Sequence, residues 1–189
     1  MILAVEEVVR SLSGSWDLLN RRAQGLSRFE FGEAPFWRSF GAPLLAAPAV
    51  VIWIAADRLA AGQLAAGLFD DPEPILRTAL HLAALWLTLP LLGIAFAKRE
   101  AWARLVPFII VCNWSFVLAA GLLTLPALLF AIGWATPALA TLYSVASIVL
   151  IMQMRWFSTK LTLGLTSGAA LMLAAGDGLV GIGILRAMV

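Results

Sequence analysis

Four polar side chains stand where an otherwise apolar sequence could do chemistry: Arg77, His81, Asn113 and Asp177. Asp177 is the only acidic residue well inside a long apolar stretch. A charge at the centre of a bilayer costs roughly 3 kcal/mol on insertion scales, so such a residue is usually paired or functional. It sits in Gly176-Asp177-Gly178, with Gly181 and Gly183 beyond. That much glycine would let a helix open and free carbonyls to coordinate a cation or a proton. The plainer reading makes Asp177 a cap at the water-facing end of a short terminal helix, or a neutral acid. Arg77 is four residues before His81 and shares its helical face. By helical rise His81 lies about 9 Å, and Asp177 about 13 Å, inside the same side of the membrane. An unpaired carboxylate in hydrocarbon does not stay ionised. Asp177 is therefore expected within hydrogen-bond or one-water reach of Arg77 or His81.

Asn113 lies between Cys112 and Trp114 in another apolar stretch. An amide there most often bonds a neighbouring helix, worth about 0.6 kcal/mol on average, and less often a substrate. Thr141, Tyr143, Ser144 and Ser147, taken with His81, raise the idea of an intramembrane serine hydrolase. No Gly-x-Ser-x-Gly turn is present, and serines inside helices usually bond their own backbone. As a haem ligand His81 would have no second histidine, and no methionine suggests itself as the other axial ligand. One cysteine excludes an internal disulfide framework, and one cysteine with one histidine is a poor start for structural zinc. No catalytic residue, metal ligand set or cofactor site is expected, and an enzyme is the less favoured reading.

The elements that must hold these residues follow from composition. The 189-residue chain is 62% apolar and 13% charged, with a mean hydropathy of +0.94. Soluble domains are about 45–50% apolar and about 25% charged. So little polar surface cannot coat a water-soluble ball, which makes this an integral membrane protein. The same composition excludes disorder. No basic block marks a nucleic-acid face, so the pI near 9.2 is read as a topology signal. Five stretches approach the roughly 20 helical residues a bilayer core requires: Ser39–Ala56, Ile75–Ala97, Leu105–Ala131, Pro137–Met154 and Leu161–Leu185. No period-2 alternation suggests a β-barrel. The third and fourth form one apolar run, divided at Gly133-Trp134-Ala135-Thr136-Pro137, where Gly ends a helix, Thr136 caps the next and Pro137 starts it. Pro126 is read as a kink in the third span. Gly164-x-x-x-Gly168, then Ala170 and Ala174, give the fifth span small residues for helix packing.

Ten of the thirteen basic residues fall on one side of this topology. They are Arg10, Arg21, Arg22, Arg28 and Arg38 before the first span, Lys98, Arg99 and Arg104 in the second loop, and Arg155 and Lys160 in the fourth. Arg58, Arg77 and Arg186, with Asp57, Asp70, Asp71 and Glu73, fall on the other. The positive-inside rule then places the N-terminus in the cytoplasm and the C-terminus outside. Trp37, Trp53, Trp102, Trp134 and Trp156 lie near span ends, as interfacial rings do, while Trp86 and Trp114 lie inside and are expected to pack between helices. Glu6 and Glu7 follow Met1–Val5 with no basic region or cleavage site, so a secretory signal is not expected and the chain is expected to be retained whole. Arginine outnumbers lysine eleven to two, a hint of a GC-rich bacterial genome and so of the inner membrane.

Before the spans, Met1, Val5, Val8, Leu12, Trp16, Leu19, Ala23 and Leu26 recur at helical spacing. The stripe predicts a cytoplasmic amphipathic helix on the membrane surface, with Arg21, Arg22 and Arg28 near anionic lipid, or else a docking helix. Gly14 and Gly25 are expected weak points. Then come Arg28-Phe29-Glu30-Phe31-Gly32-Glu33-Ala34 and Pro35-Phe36-Trp37-Arg38-Ser39-Phe40. This aromatic lead-in, following an amphipathic stretch and followed by five spans with the third and fourth tightly joined, resembles small bacterial membrane proteins related to the Yip family. The resemblance implies a five-helix bundle tied to membrane organisation or trafficking, without catalysis. The expectation is an all-α polytopic bundle: residues 1–38 a cytoplasmic amphipathic segment, residues 39–189 the transmembrane domain. Its partners are expected to be the lipid bilayer and other membrane proteins or a second copy, not nucleic acid. The expected function is a non-catalytic organiser or accessory subunit. The alternative is a small transporter or channel subunit with a polar path through Asp177 and His81.

Overall fold

The structure, a computed structural model, describes residues 4–62, 72–96 and 99–187. Met1 of the apolar stripe and the loop charges Asp70, Asp71 and Lys98 lie outside the described residues. Among the described residues the chain is helical, with no strand. The α-helices are α1 (Val5–Leu19), α2 (Glu33–Ser39), α3 (Ala47–Ala60), α4 (Pro72–Phe96), α5 (Leu105–Ala131), α6 (Pro137–Leu163) and α7 (Ser167–Ala187). Short 3-10 turns fill Ala23–Arg28, Ala42–Ala46 and Arg99–Arg104. Five helical stretches are long and apolar enough to cross a membrane: Glu33–Ala60, Pro72–Phe96, Trp102–Ala131, Pro137–Leu163 and Ser167–Ile184. The chain is an all-α, multi-pass membrane protein.

Helix α5 is the centre. It packs on α1, α2, α3, α4 and α6, while α7 closes against α4 and α6. A helix covered on most sides needs no apolar stripe, and α5 is apolar all round. Of its spanning stretch 61% is buried, against 17% for α6. The turn from α5 to α6 is built as its residues predict. Gly133 takes a left-handed φ of 77°, Thr136 Oγ1 accepts from the Leu139 N–H at 3.3 Å, and Pro137 opens α6. Helix α5 continues through Pro126. Proline has no N–H, so the carbonyl four residues back loses its partner. That carbonyl is Leu122, and Ser147 Oγ on α6 donates to it at 3.0 Å.

Three boundaries differ from the sequence reading. The first span begins at Glu33 and is assembled from α2, a 3-10 turn and α3, with Pro43 and Pro48 near the starts of the last two. The fourth does not stop at Met154. Nothing between Pro137 and Leu163 breaks a helix, so α6 runs on to Gly164, whose φ of 66° ends it. Arg155 is thereby a residue of the helix interior and not a loop charge. The fifth begins at Ser167. Gly164 is thus the turn and not half of a packing motif, and a Cβ at Gly168 would meet nothing, whereas Ala170 and Ala174 are buried.

The leading segment also differs. Helix α1 passes unbroken through Gly14 and turns instead at Asn20–Arg22. A Cβ at Gly14 would lie 2.7 Å from the Phe29 ring and 2.9 Å from the Gly25 carbonyl, so both glycines serve close packing of the 3-10 turn on α1. The stripe does not bury as one surface. Val5 and Trp16 are exposed, as is Val9, and the opposite face, with Glu7, Ser11, Gly14, Ser15 and Leu18, is buried. Small side chains let α1 sit close to α5 and α6. The buried acids are satisfied by arginines, Glu7 by Arg38 at 2.8 Å and Asp17 by Arg28 at 2.7 Å.

Candidate functional site

Apart from the α1 acids and the α5–α6 join at Ser147, one layer of the bundle gathers buried polar groups from α5, α6 and α7, among them Asn113, Ser115, Ser158, Thr159 and Asp177. Asp177 is 1% exposed and its Oδ2 accepts a hydrogen bond from Arg155 Nη1, forming an ion pair between α7 and α6. The partner is neither Arg77 nor His81. Helices α4 and α7 run antiparallel: a Cβ on Gly176 would meet Leu92, and one on Gly181 would meet Leu85. Asp177 is therefore level with Leu89–Leu92, at least eight residues, or about 12 Å, from His81 and about 18 Å from Arg77. The same antiparallel pairing brings Arg186 level with about Leu80–His81, well inside the start of α4 at Pro72, so depths counted from the far ends of α4 and α7 do not share a plane. Arg77 instead exerts its charge on Asp57 of α3, and His81 is half-buried in α4.

On the same level lies a cavity of about 20 Å³ lined by Trp86, Cys112, Ser115, Met154, Arg155 and Ser158. That is about the room one water needs, and four of these residues carry strong polar groups. Ser115 Oγ, Thr159 Oγ1 and Asp177 Oδ1 are buried without a hydrogen-bond partner. Beside it, Trp86 Nε1 donates to Asn113 Oδ1 at 2.8 Å. Asn113 Nδ2 donates to Ser39 Oγ at 2.8 Å, and that hydroxyl donates to the Phe36 carbonyl at 2.7 Å. Asn113 thus joins α5 to α4 and α2, as expected of a membrane amide. Trp86 and Trp114 both pack between helices. Phe40 meets the Trp86 ring edge-on with centroids 6.0 Å apart, and Trp114 is 1% exposed.

The end of the bundle carrying Arg21, Arg38, Arg104 and Lys160 is called here the basic end, and the opposite one the far end. Arg155 stands eighteen residues from the far start of α6, about 27 Å by helical rise. Only eight residues, about 12 Å, separate it from Leu163, so the layer lies toward the basic end of the bundle. Beyond it toward the far end come Phe116, Ala119, Ala120 and Ile151, all buried. A separate cleft of about 350 Å³ opens between the far ends of α3, α5 and α6, lined by Asp57, Phe130, Thr141 and Ser144 among others. Ser144 is eleven residues from Arg155 along α6, about 16 Å, and Ser147 between them is bonded to Leu122. The cleft and the layer are separated by packed apolar side chains.

Among the described residues no serine or threonine hydroxyl of the layer or of the cleft is hydrogen-bonded to a histidine or a carboxylate. Thr141 and Ser144 donate back to the carbonyls of Pro137 and Ala140, each at 2.9 Å. Among the described residues no three His, Cys, Asp or Glu side chains gather as a metal would require. Sequence reasoning found Asp177 and Asn113 but missed Arg155, Trp86 and Ser39 as their partners. For Arg155 the signal was present, since no glycine or proline separates it from the body of α6. Comparison of the chain with models of protein families, with curated proteins and with solved structures finds no match.

Proposed function

We propose that this protein is a non-catalytic integral membrane protein that organises or accompanies other membrane components, with an architecture of the Yip kind. One observation carries the reading. The buried polar side chains bond one another across helices, Arg155 to Asp177 and Asn113 to Trp86 and Ser39, instead of converging on a substrate-sized cavity. Such a layer fixes helix order and leaves the apolar outer faces of α4, α6 and α7 for lipid or partner helices. We further place the basic end in the cytoplasm of a bacterial cell, in the inner membrane, with α1 lying along the surface and Val5, Val9 and Trp16 turned toward lipid. Purification of the full chain in mild detergent, followed by mass spectrometry, tests the function. Reproducible recovery of the same membrane proteins in stoichiometric amount, or of a discrete self-assembly, supports it. A monomer recovered alone, which then moves a solute in proteoliposomes, overturns it.

The second reading, a small transporter or channel subunit, draws on the unpaired Asp177 Oδ1, Ser115 Oγ and Thr159 Oγ1. It differs from the original expectation in its residues: a path would run through Arg155 and Asp177, not through His81.

A further inference from the structure

Arg21 is the only residue other than glycine, among the described residues, with a left-handed backbone, at φ 58°. It is held there by α6. Gln153 Nε2 donates to the Leu19 carbonyl at 3.0 Å, and Gln153 Oε1 accepts from Arg21 Nη2 at 2.8 Å. The effect is to carry the guanidinium to the Trp156 ring, with Cζ 5.9 Å from the centroid. Lys160 Nζ lies 5.8 Å from the same centroid. The indole is itself fixed, since its N–H donates to the Ser167 carbonyl at 3.1 Å. Two cations thus stand within 6 Å of one indole centroid, an arrangement that an anion reaching both would stabilise.

No described residue supplies it. Arg10, Arg22, Arg28 and Arg38 are paired with Glu30, Asp17 and Glu7. Among the described residues no carboxylate pairs with Arg21 or Lys160. A third cation is close, because the Arg104 guanidinium packs on Gly164, one helical turn beyond Lys160. Depth identifies the anion. Trp156 is nineteen residues, about 29 Å, from Pro137 and lies within two turns of the basic end of α6, so an α6 that enters a core about 30 Å thick at Pro137 brings this ring to the polar boundary, with the headgroup phosphates just beyond it. Indole rings favour that level, and basic residues there attract anionic lipid. We propose that Arg21, Lys160 and Trp156 form a binding site for the phosphate of an anionic phospholipid headgroup, with Gln153 positioning Arg21.

Native mass spectrometry of the full-length protein in detergent tests this, with phosphatidylglycerol, phosphatidylcholine or inorganic phosphate added in turn. The site should retain phosphatidylglycerol over phosphatidylcholine. At about 1 kcal/mol per basic residue near a membrane surface, Arg21→Gln with Lys160→Gln should weaken that retention by tenfold or more. Arg22→Gln, which alters an arginine paired with Asp17, should leave it unchanged. Gln153→Leu keeps every charge but frees Arg21, so it should give an intermediate loss. Retention equal to wild type in a folded double variant overturns the proposal, as does equal retention of the two lipids. Displacement of the lipid by millimolar inorganic phosphate overturns the lipid as the source. Should the double variant not fold, Lys160→Gln alone decides: undiminished retention overturns the site.

Discussion

At Arg155 and Asp177 two opposing terms are large. Desolvating each ion costs several kcal/mol, and their attraction in a low dielectric offsets this only while both are present. Removing one partner should therefore cost far more than removing both. Asp177→Leu is expected to destabilise by about 3 kcal/mol, toward the low end for a broken buried pair, because it strands a guanidinium that keeps 16% of its side chain exposed. Asp177→Asn should cost less, since the amide oxygen still accepts from Arg155. Arg155→Met combined with Asp177→Leu should recover most of the loss, and thermal unfolding in detergent of the four proteins measures the cycle. If the double variant is as unstable as the worse single one, the pair is not what holds α6 to α7. Asn113→Leu should cost about 1–3 kcal/mol for the polar groups of Trp86 and Ser39 left buried. The two central residues differed in legibility. Asn113 was readable from sequence because a membrane amide has few options. The partner of Asp177 was not, because charge counting assigned Arg155 to a loop, and depths counted from the far ends of α4 and α7 assume that those ends are level, which they are not.

Among the elements, the clearest local logic joins α5 to α6. Pro126 removes an N–H and Ser147 supplies the missing donor to Leu122. Ser147→Ala alone should destabilise by about 1 kcal/mol, while Pro126→Ala restores the backbone donor and makes Ser147 redundant there. The effect of Ser147→Ala should accordingly shrink in a Pro126→Ala background. Equal costs in both backgrounds would break the link. Gly14→Val should separate α1 from its 3-10 turn, because its Cβ meets the Phe29 ring and the Gly25 carbonyl. Hydrogen exchange confined to residues 4–30 would report it. Long apolar runs made the third span legible to the residue, and turn chemistry did the same for Gly133–Pro137. The ends of the fourth and fifth spans were not legible, because hydropathy falls at Gln153 and Arg155 while the helix, lacking a breaker, does not. The face α1 buries was hidden for a related reason. Serines and glycines pack closely once arginines neutralise the neighbouring acids, and hydrophobic periodicity does not register such a surface.

For the whole molecule, the proposed orientation predicts that a reporter fused after Val189 reads as external and one inserted at Lys98–Arg104 as cytoplasmic. A cytoplasmic reading after Val189 would contradict an odd number of crossings. The central claim is that the polar layer is a closed join between helices and not a step on a path. Cys112, the sole cysteine of the chain, is buried and lines the cavity beside Arg155, so its reactivity reports on that layer without any engineered residue. The decisive measurement is labelling of Cys112 in sealed vesicles by a small, charged, membrane-impermeant methanethiosulfonate, applied from each side in turn. The closed layer predicts no labelling of the native protein from either side and complete labelling after denaturation. Rapid labelling of the native protein from either side would contradict it, and would place Arg155 and Asp177 on an aqueous route through the bundle.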